Sequence, residues 1–276
     1  MEASMNTRLL ILTAAALAAL ASPAFAQTEQ FFQTCAHGTG DLQITACTWM
    51  IKNGKQKDHD LAVSFLNRGV AYQVRGDFEH AAFDYTQATT LMPEYGLAWV
   101  NLGSLYDADG QPARALGYYA KAVERQPDFA LGYFARGKAY AELGQNDSAL
   151  ADYDAYLKFE PNDPELFNNR GASYLALGRF DLALADIDKA LALNPKFLEA
   201  RQNRGQVYFH MGRYGDAVAE YDAVLAGQPK NAAALYVRGV AKLKSGNIAG
   251  GSADVAAATA LDAKIADSYA AQGVKP

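Results

Sequence analysis

The sequence predicts an all-α fold, a solenoid of six stacked helix–turn–helix repeats of 34 residues. Three observations predict it. Gly-x-x-Tyr recurs at Gly69/Tyr72, Gly103/Tyr106, Gly137/Tyr140, Gly171/Tyr174 and Gly205/Tyr208, always 34 residues apart. With Ala62 as position 1, position 15 is glycine six times, at Gly76, Gly110, Gly144, Gly178, Gly212 and Gly246. Position 32 is proline at Pro93, Pro127, Pro161, Pro195 and Pro229. A fixed period in this range marks a repeat array and has to be read before any element is assigned.

Each recurrence has a physical role. Positions 4, 8 and 11 share one face of a first helix, and positions 20, 24 and 27 share one face of a second. Position 20 is Ala81, Ala115, Ala149, Ala183 and Ala217, then Gly251; position 24 is Tyr85, Tyr119, Tyr153, Ile187, Tyr221 and Val255. Small residues at 8 and 20 let the two helices approach closely. Glycine at 15 suits the left-handed residue that ends a helix, and proline at 32 cannot continue the second helix. One hairpin cannot bury its own apolar face, so neighbours stack. The repeats run 62–95, 96–129, 130–163, 164–197, 198–231 and 232–265.

The ends depart from the pattern. Repeat six has Lys242, Gly250-Gly251 and Ala263 where the others have Tyr, Ala and Pro, as terminal repeats do when one face meets water. An amphipathic stretch at 264–271 is expected to cap the stack, with 266–276 as helix end and tail. At the other end, 27–61 reads as an N-terminal cap segment. Within it, Ile44 to Gly54 (ITACTWMIKNG) resembles the second helix of a repeat whose first helix is missing, with Cys47 at its position 24.

Residues 1–26 have the layout of a secretory leader: Arg8, the apolar run Leu9 to Ala21, then Ser22-Pro23 and the small-x-small Ala24-Phe25-Ala26. The mature chain is expected to start at Gln27. FFQT before Cys35 is no lipidation box, so a soluble exported protein is expected. Cys35 and Cys47 are the only cysteines. In an oxidising compartment so close a pair is expected to form a disulfide, worth at most about 3 kcal/mol in the chain-entropy model.

Arginine stands at position 7 in five repeats, at Arg68, Arg136, Arg170, Arg204 and Arg238. Position 23 is acidic in five, at Asp84, Asp152, Asp186, Glu220 and Asp254. Both exceptions, Leu102 and Tyr118, fall in repeat two. Positions 7 and 23 lie level across a hairpin centred near 15. An Arg–carboxylate pair inside each repeat is therefore expected, replaced by an apolar contact in repeat two; two independently solvated charge rows are the alternative.

The in-phase positions, best seen in NRGASYLALGRFDLALADIDKALALNP from Asn169 to Pro195, resemble the tetratricopeptide repeat family. The resemblance spans 62–265. It implies a right-handed superhelix with a concave groove lined by first-helix positions 2, 5, 6, 9, 12 and 13. Position 6 is Asn67, Asn101, Ala135, Asn169, Asn203 and Val237. Asparagine offers donors and an acceptor that suit a peptide main chain, and it is a poor helix former. Two readings stay open: a ladder holding an extended peptide, or asparagines that cap or bridge neighbouring helices. Val63, Leu66, Val70, Val100, Leu131 and Phe134 give the groove an apolar N-terminal half. Gln202, Gln206, Phe209 and His210, with Glu165 and Glu199, give it a polar C-terminal half. Asn67, Asn101, Asn169, Asn203, Phe134 and Gln202 are the candidate peptide-binding residues. The lysines of a chaperone-tail clamp are absent from positions 2 and 5. The resemblance and the Ala-rich leader together point to a bacterial periplasm.

A formal charge of −5 with no basic block argues against nucleic acid. Four scattered histidines show no metal-ligand spacing, and no Gly-x-Ser-x-Gly elbow or phosphate loop is present. Asp107-Ala-Asp109-Gly110 lacks the remaining ligands of a calcium loop. No cofactor, small-molecule substrate, stable membrane insertion or enzymatic activity is expected. The expected function is a protein–protein interaction scaffold binding a peptide or protein partner in the groove. The alternative is a structural subunit, or a homo-oligomer, joined through convex face or solenoid ends.

Overall fold

Glycine at position 15 and proline at position 32 set where the helices stop. In the computed structural model, which describes residues 23–276, the position-15 glycines have φ between 70° and 89°. Nothing lies within 4 Å of a Cβ built on them, so the dihedral and not space demands glycine. The next residue's N–H then reaches back to the position-11 carbonyl, as from Asp77 to Tyr72 at 2.9 Å and from Arg213 to Tyr208 at 2.8 Å. Proline acts through the residue before it, which it pushes out of the helical region. Met92, Gln126, Asn194 and Gln228 all have φ of −133° to −135° and end their helices. Repeat three stops earlier, at Tyr156, whose hydroxyl donates to Asp163 at 2.8 Å.

Fifteen helices and no strand form among the described residues. They fall into two compact units, divided in sequence between Gly132 and Tyr133. The first holds α1 (Pro23–His37), α2 (Gly40–Asn53), α3 (Asp58–Val74), α4 (Phe78–Leu91), α5 (Gly96–Ala108) and α6 (Pro112–Arg125). In it each helix packs on the next, and α1 also touches α3, as α3 touches α5. Helix α7 (Ala130–Glu142) lies mostly in the second unit. There follow α8 (Asn146–Tyr156), α9 (Pro164–Ala176), α10 (Phe180–Leu193), α11 (Leu198–His210), α12 (Tyr214–Gly227), α13 (Ala232–Lys244), α14 (Ile248–Leu261) and α15 (Ile265–Ala270).

Inside each hairpin the position-24 side chain lies on the bare backbone of position 8. A Cβ on Gly69 would stand 2.7 Å from the Tyr85 ring, on Gly137 2.7 Å from Tyr153, and on Gly171 2.7 Å from Ile187. Here space, not the dihedral, requires glycine. Gly137→Ala is expected to destabilise by about 1–3 kcal/mol through overpacking. Gly117→Ala, on the exposed face of α6 with nothing within 4 Å, is expected to stabilise by about 0.5–1 kcal/mol. Urea denaturation of the two variants measures both.

The N-terminal cap corrects one expectation. Its first helix is not missing: α1 packs on α2 and makes a complete hairpin. Nothing in 27–37 follows the glycine–tyrosine lattice, which is why the sequence hides it. The Phe31 and Trp49 rings stack at 4.5 Å, and Cys35 and Cys47, both buried, are joined by a disulfide. Cys47 takes the place of a position-24 tyrosine. Thr48, next to it, receives a hydrogen bond from Arg68 at 3.1 Å, as the residue after position 24 does in later repeats. Replacing both cysteines with serine is expected to cost up to about 3 kcal/mol, read as a lower melting temperature. The expected leader, 1–26, lies outside the described residues except that the backbone of 23–26 forms the first turn of α1.

Candidate binding surface

The first helices of five repeats are held by arginines. Arg68–Asp84, Arg136–Asp152, Arg170–Asp186 and Arg238–Asp254 are two-pronged pairs at 2.7–2.8 Å. Arg204–Glu220 is single at 2.7 Å. The expected pair is thus present in each of the five repeats. The carboxylates are buried or nearly so, and two-pronged charge-assisted bonds are the strong kind. A second contact was not legible in the pairing rule. The Nη1 nitrogen reaches position 25 of the preceding repeat: Arg170 to Asp154 at 2.6 Å, Arg204 to Asp188 and Arg238 to Asp222 at 2.7 Å. Each of these three arginines therefore ties its own hairpin together and fixes the register of the hairpin before it.

The guanidinium also lies between two rings. Arg68 sits 5.5 Å from Phe65 and 5.9 Å from Tyr72; Arg170 sits 5.6 Å from Phe167 and 5.9 Å from Tyr174. In repeat two the Tyr118 ring enters the same slot, 6.4 Å from Trp99 and 5.2 Å from Tyr106, with Leu102 buried in the same cluster. The expected apolar replacement is therefore a three-ring stack. Arg114 covers Tyr106 at 3.8 Å and Lys121 covers Trp99 at 4.8 Å.

At Asp254 burial pushes the carboxyl up, but hydrogen bonds from Arg238 and Lys242 outweigh it and hold it below the ordinary value. Its native pKa is lower than its unfolded one. The stability it contributes is therefore complete above the ordinary carboxylate range and lost as pH falls through the depressed value. Acid unfolding of wild type against Asp254→Asn is expected to show a flatter pH dependence in the variant.

The predicted groove residues divide. Position 5 is buried in four repeats, at Leu66 and Val100 in the first unit and at Asn168 and Tyr236 in the second, and half-buried in repeats three and five. Leu66 and Val100 therefore do not line a groove, because that position faces the packed neighbours. Phe209 is likewise buried, in the C-terminal cluster. Phe134 is half-buried against Tyr156 at 5.3 Å and Tyr153 at 6.5 Å. Gln202 is half-buried, and its carbonyl accepts the Tyr221 hydroxyl at 3.1 Å. Asn67 and Asn101 stand half-buried on α3 and α5, adjacent first helices of the first unit.

In the second unit the asparagines do two different things. Asn203 donates to Asn168 at 2.8 Å, and Asn168 donates to Glu199 at 3.1 Å. This bridges α9 and α11, the helix-bridging reading of the ladder. Asn169 is different. Its Nδ2 and the Ser173 hydroxyl are buried without a protein partner, and both residues line a cleft of about 460 Å³. Lys138, Glu142, Asn146 and Tyr153 complete the walls. Lys138 lies 4.0 Å from Glu165 across the rim. A second cleft, of about 570 Å³, has Asn203, Gln206, His210 and Phe180 on one side and Ala271 and Gln272 on the other. Burial there lowers the pKa of His210, whose ring stacks on Phe180 at 5.7 Å.

Among the described residues no group of three or more His, Cys, Asp or Glu side chains could hold a metal ion, and no helix is long and apolar enough to cross a membrane. Two-helix hairpins with one internal lattice of glycine, arginine and carboxylate define an α-helical repeat protein. The chain belongs to the tetratricopeptide repeat family. Models described as tetratricopeptide repeat match residues 66–128, 118–151 and 171–241, and one described as TPR repeat matches 137–178. Among solved structures, YrrB, "a TPR protein with an unusual peptide-binding site", is 24% identical, with 70% of this chain and 100% of that one covered and a TM-score of 0.55. PilW, a "widely conserved type IV pilus biogenesis factor", is 21% identical over 72% and 93%, TM-score 0.65. MamA is 23% identical over 59% and 96%, TM-score 0.53. At these identities the likeness is one of fold. No curated protein sequence matches the chain.

Proposed function

We propose that the chain is a non-enzymatic interaction scaffold of the cell envelope that binds a peptide or protein partner on its first-helix faces. The observation that carries this is the cleft between α7 and α9, into whose lining Asn169 and Ser173 bring polar atoms that the protein itself leaves unsatisfied. A buried donor without a partner costs about 1–3 kcal/mol, and a ligand carbonyl reaching Asn169 would recover part of that. Asn67 and Asn101 present half-buried side-chain amides in the first unit. A preformed face of this kind loses little conformational freedom on binding. The Cys35–Cys47 disulfide and the leader-like 1–26 segment support an exported, periplasmic setting. Crosslinking pull-down from envelope extract tests the reading. Asn101→Ala and Asn169→Ala, each shown folded by circular dichroism, are expected to lose partner bands that wild type captures. An unchanged set of bands counts against the first-helix face.

A second reading rests on the second helices. Phe83 on α4 and Leu182 on α10 are apolar side chains left 56% and 51% exposed on second helices. A structural subunit assembled through those faces would elute as an oligomer. Light scattering of the purified chain separates the two readings.

A further inference from the structure

The segment after repeat six does more than cover the last hairpin. A capping helix has only α13 and α14 to shield, and α15 touches both. The chain then turns at Gly273, with φ of 77°, and goes further back. Gln206 on α11, in repeat five, donates to Gln272 at 3.1 Å across 66 residues of sequence. Val274 is fully buried in a cluster with Phe209, Tyr236, Val237 and Val240. Tyr269 packs on Tyr236 at 5.7 Å. The residues beneath it include positions 6, 9, 12 and 13 of first helices, the same positions that line the open cleft at Asn169. The tail thus occupies, in repeats five and six, the kind of surface that repeats three and four leave free.

It is held there by few groups. Between Ile265 and Val274 only those two residues are buried, Tyr269 and Ala270 are half-buried, and the rest are exposed. The Gln206–Gln272 amide pair is one that any ligand amide reproduces.

We propose that the first-helix surface of repeats five and six is a peptide-binding surface whose resident occupant is the chain's own Ile265–Val274 segment. Its partner is a peptide of the same pattern, an aromatic side chain followed five residues later by a β-branched one after a glycine turn. This rests on the reading of first-helix faces as ligand surfaces and adds a built-in competitor to it. A partner gains access by displacing Tyr269 and Val274.

Two measurements on the full chain test it. The first is fluorescence anisotropy of a labelled peptide, residues 264–276, against wild type and Val274→Asp. The variant is expected to bind at least tenfold more tightly than wild type, and the same peptide carrying Val274→Asp is expected not to bind either. A folded variant that binds no better than wild type, or binds both peptides alike, overturns the proposal. The second is hydrogen exchange on wild type, which needs no variant. Amides of 266–274 are expected to exchange at least tenfold faster than those of α13; equal protection overturns it, since the segment would then open only with the repeat beneath. The peptide does not touch Asn101 or Asn169, so failure here leaves their pull-down result standing, and failure there leaves this one.

Discussion

Arg68→Met is expected to destabilise the chain by about 3–5 kcal/mol, the cost of breaking one side of a buried ion pair. The Asp84 side chain is 1% exposed and takes both of its short bonds from Arg68. Methionine fills part of the space between Phe65 and Tyr72 but brings no donor. Burial already pushes the Asp84 carboxyl above its ordinary value with Arg68 beside it, so without the arginine the folded chain holds it protonated over a wider range. A raised native pKa means that stability is retained below the unfolded value and lost as pH rises through the native one. The loss in Arg68→Met is therefore expected to be larger at pH 7 than near pH 4. Arg68→Lys keeps a charge but neither the two-pronged geometry nor the stacking, and falls between. Urea titrations at the two pH values measure all of this. A loss below about 1 kcal/mol at pH 7, in the range of an exposed pair, would mean that the pair is solvated after all.

The parts of this architecture that were legible in the sequence are those in which one residue type does one job in repeat after repeat. Gly76 and its equivalents need a positive φ, Gly137 and its equivalents need an absent Cβ, and both demands leave glycine and little else. The Arg68–Asp84 pair was legible because charge at both ends of a contact can be read without knowing the contact. The paired exception at Leu102 and Tyr118 pointed to positions 7 and 23 as partners, with two separate charge rows still open. What could not be read was the partner at position 25. Asp154, Asp188 and Asp222 occupy it, but Thr48 and Thr86 stand there at the N-terminal end, and a rule met by half the repeats does not declare itself. Helix α1 was hidden because its packing rests on Phe31 and a disulfide rather than on the glycine lattice. The candidate surface was the least legible. Helix spacing places Leu66 and Asn67 side by side, and only the packed structure separates the buried Leu66 from the half-buried Asn67. The tail over repeat five was beyond sequence reach, since Gln206 and Gln272 carry no pattern that pairs them.

Repeat two poses the sharpest test of why the arginines are there. Leu102→Arg alone is expected to cost about 3–5 kcal/mol, because it puts a guanidinium beside a slot already filled by Tyr118 and supplies no carboxylate. Tyr118→Asp alone empties the slot between Trp99 and Tyr106 and leaves a carboxylate against Leu102, with a loss of similar direction. The double variant recreates the arrangement of repeats one, three and four: the introduced guanidinium lies between Trp99 and Tyr106 and meets the introduced carboxylate across the hairpin. The two changes are then expected to couple favourably, by about 0.5–3 kcal/mol in a double-mutant cycle. The double variant is not expected to exceed wild type, because well-packed apolar groups replace buried ion pairs at little or no cost. The reciprocal exchange, Arg136→Leu with Asp152→Tyr in repeat three, should on the same ground be close to neutral, since Tyr133 and Tyr140 already frame the slot. If so, the ion pairs add little net stability over a ring stack, and their use lies in register: an arginine that must meet carboxylates at positions 23 and 25 accepts one alignment of two hairpins, whereas stacked rings tolerate small slides. Strict additivity in the cycle would remove this account, since it would mean that positions 7 and 23 never sense one another.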